Sequence, residues 1–127
     1  MPTNTEPTAN QQLKAPIESI LKTVRQSIGP GAQYTVFDND LIIHINAAFS
    51  RLCQLGVGPE IPFKITGEDE VWTDFIDDGY LEEVKQYICL KTRMIFDTPA
   101  SSTVANAIKE QIDTLEWTMR ETARFGY

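Results

Sequence analysis

Three breaks in backbone regularity, at Gly29-Pro30-Gly31, at Gly56 with Gly58, and at Phe96-Asp97-Thr98-Pro99, divide this chain into runs whose apolar residues recur at helical spacing. A chain cut this way is confined to packing helices on one another. The first run predicts a helix over 15–28: Pro16 suits an early helical position, and Ile17, Ile20, Leu21, Val24 and Ile28 form one stripe. The second predicts a helix from about 39 to 55, with Asp38 as N-cap after Phe37 and an apolar arc of Leu41, Ile45, Ala48, Leu52 and Leu55. A third, capped by Asp77 or Asp78, runs to about Phe96, and a fourth, capped by Ser101 or Ser102, to about Arg124.

Between the second and third helices, "EIPFKI" alternates Phe63 with Ile65 and reads as a short extended piece, too short to be a sheet. The expected fold is all-α, a small bundle of about four helices with a loop or short extended segment at about 56–76. Residues 1–12, polar and rich in Pro, Thr and Asn, read as a disordered arm before a single domain over 13–127.

With 127 residues and 42% hydrophobic content, the chain has material for one modest core. Its net charge of -7 leaves no basic footprint for a phosphate backbone, so specific nucleic-acid binding is not expected. The start, "MPTNTEPTANQQ", lacks both a basic region and an apolar stretch, and no apolar run reaches membrane-spanning length. A soluble protein made in the cytoplasm is expected. Cys53 and Cys89 are too few and too isolated for a disulfide framework or zinc pairs, and read as reduced, mostly buried thiols.

The stretch "GEDEVWTDFIDDGYLEE", residues 67–83, holds eight of the eighteen acidic side chains. As a calcium loop with Gly79 at position six it fails, because position three would be Ile76 and position twelve Lys85. Asp77, Asp78, Glu82 and Glu83 instead complement a helix dipole, while Trp72 and Phe75 anchor the loop in the bundle and Glu68, Asp69 and Glu70 stay in water. Catalysis finds no support either. His44, the sole histidine, sits at the rim of the second helix's apolar arc, Cys53 is nine positions along the same helix, and "GPGAQY" follows a helix instead of opening one. No catalytic, cofactor-binding or metal residue is assigned, and the chain is not expected to be an enzyme.

What stands out is apolar surface on the wrong side of helices. The third helix has a core stripe of Leu81, Val84, Ile88 and Ile95, and a second stripe of Tyr87, Leu90 and Met94. Either this helix is central and buried all round, or the second stripe meets another molecule. In the fourth helix, Ala105, Ile108, Ile112, Leu115 and Met119 form an a/d-like stripe, and Trp117 projects nearly opposite it among charged residues, as an interface residue would. Ile43 lies on the polar side of the second helix near Ala47. Ile43, Tyr87, Leu90, Met94 and Trp117 are thus the candidate subunit or partner contacts.

Four blocks in order, "HINAAFSRLCQLGVGP", "FKITGEDEVWTDF", "LEEVKQYICLKTRMIFDTPASS" and "KEQIDTLEWTMR", resemble the head-tail connector (head completion, or adaptor) proteins of tailed phages and prophages of Gram-positive bacteria. The resemblance covers about 15–124 and departs at "FDTP", where Asp-Pro-Pro is expected. It implies a structural virion protein at the head-tail junction: a dodecameric ring assembled on the portal protein after DNA packaging, joined to the next tail component, with DNA passing through it. A ring joins two different faces of each subunit, which apolar stripes on opposite helix sides supply. The acidic stretch would then meet basic groups on a neighbour or the portal, or keep DNA from adhering to the channel. The competing expectation is a small acidic helical prophage regulator, an antitoxin-like protein that dimerises about one patch.

Overall fold

A computed structural model describes residues 18–29, 35–76 and 81–125. The helices are α1 (Ile20–Ile28), α2 (Asp38–Gln54), α3 (Trp72–Phe75), α4 (Leu81–Phe96) and α5 (Ser102–Phe125), and no strand occurs among the described residues. The all-α bundle expected from helical spacing is therefore the fold, with one short extra helix inside the acidic stretch. The first helix starts at Ile20 and not at 15, because Ser19 is extended and caps it. The expected arm at 1–12 and the Asp77 and Asp78 caps lie outside the described residues.

α1 begins where Ser19 accepts a hydrogen bond from the Lys22 amide at 3.2 Å, and it buries Ile20, Leu21 and Val24 on one side. α2 buries Leu41, Ile45, Ala48, Phe49 and Leu52. It closes in a Schellman arrangement: Gly56, at φ 83°, donates to the Cys53 carbonyl at 3.0 Å, and Val57 donates to the Leu52 carbonyl at 2.9 Å. Asp38 is not the cap expected of it. Phe37 occupies that position, and no side chain caps the helix, because the Asp38 carboxylate is taken by Arg25 at 2.8 and 3.1 Å.

Residues 55–76 are held from both sides. Asn46 donates to the Ile65 carbonyl at 3.0 Å and accepts from its amide at 2.7 Å, so "EIPFKI" is clamped to α2 by one side chain instead of pairing as a strand. Phe49 meets Phe63 and Phe75 at ring separations of 5.0 and 4.8 Å, and Trp72 at 6.4 Å, as the expected aromatic anchoring requires. Gly58, at φ 88°, passes so close to Phe75 that a Cβ there would lie 2.4 Å from the ring. An isolated bridge between Ser19 and Val71 ties the segment to α1, and the Trp72 indole donates to the Thr23 hydroxyl at 3.2 Å.

α4 is the central helix, packing on α1, α2, α3 and α5. This explains its second stripe: Tyr87 is wholly buried, and Leu90 and Met94 are half-buried against the core. Ile95, expected in the core, is exposed, since the last turn of α4 directs Phe96 toward His44 at 5.4 Å. α5 starts on Ser101, whose hydroxyl accepts from the Val104 amide at 3.3 Å, and lays Ile108, Ile112, Leu115 and Met119 on the bundle as its a/d-like spacing predicts. Both cysteines are half-buried, less than expected.

Candidate assembly surfaces

Three carboxylates of the acidic stretch, Glu68, Glu70 and Asp74, bond groups of the subunit itself. Glu70 accepts from the Thr66 amide and hydroxyl at 2.9 and 2.8 Å and from the Gly67 amide at 3.3 Å, so it shapes the turn before α3. Burial opposes its ionisation, but these bonds together hold its carboxyl below the usual range. Glu68 bonds buried Arg25 at 2.6 Å, and that bond holds its carboxyl low. Asp74 turns back to accept from the Val71 amide at 2.9 Å and fixes the start of α3. Glu68 and Asp69 are exposed, as expected, and Glu68 meets Arg25 from the solvent side; the expectation is corrected only for half-buried Glu70, whose carboxylate the loop's own amides take.

A second polar knot joins three helices. The Tyr87 hydroxyl donates to Glu116 Oε2 at 2.6 Å, and Arg51 donates to Glu116 Oε1 at 3.2 Å. Burial, reinforced by the Glu116 carboxylate, pushes the phenol far up. Burial opposes ionisation of Glu116, but Tyr87 and Arg51 together keep its carboxyl below the usual range. α5 is thus fixed to α2 and α4 at its middle.

Among the described residues no three His, Cys, Asp or Glu side chains converge as metal ligands, and no described helix is long and apolar enough to cross a membrane. An open groove of about 440 Å³ between α1 and residues 68–71 carries Glu18 and Glu68, but Glu18 already pairs with Lys85 at 2.7 Å and Glu68 with Arg25. Of the five candidate contacts, Tyr87 is interior, Leu90 and Met94 are half-covered, and only Ile43 (62% exposed) and Trp117 (59% exposed) stand in solvent. Val36, Ile61, Ile95 and Val104 are exposed as well. Val36 and Ile61 lie in a turn and a loop tip, where periodicity carries no signal, whereas periodicity assigned Ile95 to the core and Val104 stands four residues before Ile108 in the first turn of α5.

A model of the family described as phage connector protein matches residues 20–124, from the first residue of α1 to within one residue of the end of α5. The chain belongs to the phage connector protein family. No curated protein and no solved structure matches it significantly. The expected kinship with head-tail connectors is borne out, and with it the assignment to a family of bacteriophage structural proteins. A connector acts through surfaces, so the exposed apolar side chains of α2 and α5 are the features of this chain to explain.

Proposed function

We propose that this connector assembles as a ring on the portal after DNA packaging and joins the head to the next tail component in the virion. The observation that carries this reading is that Ile43 and Trp117, large apolar side chains in solvent, stand on two different helices, each facing away from the core its own helix builds. Two unlike faces on one subunit are what a closed ring of identical copies requires. The ring is dodecameric, as the resemblance to head-tail connectors implies. The net charge of -7 on each chain suits a channel wall that DNA passes without adhering. Tyr87 drops out of the contact set, while Leu90 and Met94 remain at its margin.

Native mass measurement of the purified chain, alone and mixed with the portal protein of the same phage, tests this. The expected result is a monomer or loose oligomer that becomes a multi-copy ring on the portal. A tight symmetric dimer that ignores the portal would contradict it and favour the antitoxin-like regulator.

A further inference from the structure

We propose that neighbouring copies meet through an antiparallel contact between the outer face of α2 on one copy and the outer face of α5 on the next, with Ile43 seated against Trp117. The inference rests on the ring-forming reading above and adds which faces meet and in which direction. Ile43 and Trp117 each stand about 180° around their helix from the residues that helix buries. Their exposure shows that neither is covered within its own chain.

Charge sets the direction. On the outer face of α5, exposed Glu110 and Asp113 precede Trp117, whereas exposed Arg120 and Arg124 follow it. On α2, exposed Asp40 precedes Ile43 and exposed Arg51 follows it. A parallel contact would set acid against acid and base against base at both ends; the antiparallel one sets Asp40 against Arg120 and Arg124, and Arg51 against Glu110 and Asp113. The spacing agrees. At ~1.5 Å per residue, Asp40 lies about 4.5 Å before Ile43 and Arg120 about 4.5 Å beyond Trp117, while Arg51 lies about 12 Å beyond Ile43 and Glu110 about 10.5 Å before Trp117.

The small, exposed Ala47 leaves room for the indole one turn from Ile43. Arg51 already bonds Glu116 and Gln54 yet keeps 46% of its side chain in solvent. Glu121, the one acid on the basic half of α5, is held by Arg120 at 3.7 Å. Because α2 meets α5 and not α2, each added copy leaves one of each face free, so the contact propagates until the ring closes.

Disulfide trapping tests the pairing, in a chain carrying Cys53→Ser and Cys89→Ser whose helicity is checked first. Under oxidation in the presence of portal, a mixture of Ile43→Cys and Trp117→Cys chains is expected to give a mixed dimer, and a chain carrying both changes a ladder of trimers and larger species. Cross-links between two Ile43→Cys chains or two Trp117→Cys chains, or a doubly substituted chain that stops at the dimer, would overturn head-to-tail contact. A ring that forms without the mixed cross-link would overturn this pairing alone, whereas failure of the unsubstituted chain to form any ring removes the underlying reading too.

A charge exchange needs no cysteine changes. Asp40→Arg and Arg120→Asp are each expected to raise the concentration needed for assembly about tenfold, corresponding to ~1.4 kcal/mol. The double substitution is expected to recover most of that loss, and no recovery would contradict the alignment.

Discussion

At the scale of single residues, the side chains that build the subunit are distinct from those that only face out of it. Gly58 belongs to the first kind, since its positive φ and the Phe75 ring leave no place for a Cβ. Gly58→Ala is expected to cost about 1–3 kcal/mol of stability, read from the denaturant midpoint. Tyr87→Phe removes one of two donors to Glu116 and should cost about 1–2 kcal/mol, leaving the helical circular dichroism spectrum intact. Trp117 belongs to the second kind. Trp117→Ala should change subunit stability by less than about 0.5 kcal/mol but weaken assembly on the portal by more than ~2 kcal/mol, the usual loss for a truncated aromatic anchor. Equal losses in both measurements would place Trp117 in the core.

At the scale of elements, α1, α2 and α5 were legible because each lays one apolar stripe on the bundle, and helical spacing records such a stripe directly. The opposite placement of Trp117 on α5 followed from the same arithmetic. α4 was only half legible. A central helix is apolar on several sides, so periodicity could not separate Tyr87, which packs inside, from a partner-facing residue. The loop at 56–76 was least legible, since Asn46 on α2 and Glu70 within the loop supply its backbone partners, and neither contact leaves a spacing pattern. Asp38 misled because its nearest use looked like a cap while its actual partner, Arg25, lies thirteen residues earlier. Leu90 tests α4 as an element: Leu90→Glu puts a charge into a half-buried site and should lower stability by about 1–3 kcal/mol in the isolated subunit. An unchanged midpoint together with lost assembly would return that stripe to the interface.

At the scale of the whole molecule, the apolar core is supplemented by carboxylates that tie the loop and α5 to it. Glu68, Glu70 and Glu116 all ionise below their usual range in the folded chain, so the stability they contribute is present above the ordinary glutamate pKa of about 4.3 and is lost as pH falls through their depressed values. Tyr87 acts at the other end: its raised phenol contributes below about pH 10 and is lost as pH rises further. Thermal unfolding across pH should therefore show a plateau through neutrality and a fall below about pH 4, steeper than in a Glu116→Gln variant. The central claim, that this connector keeps an aromatic contact residue in solvent until it assembles, is tested most directly by Trp117 fluorescence. A Trp72→Phe background is needed, because Trp72 is already buried beside Phe49. Red-shifted, iodide-quenchable emission is expected from the free subunit, turning blue-shifted and protected when the portal is added and the ring forms. Emission already blue-shifted and protected in the free subunit, or unchanged in a completed ring, would contradict the claim.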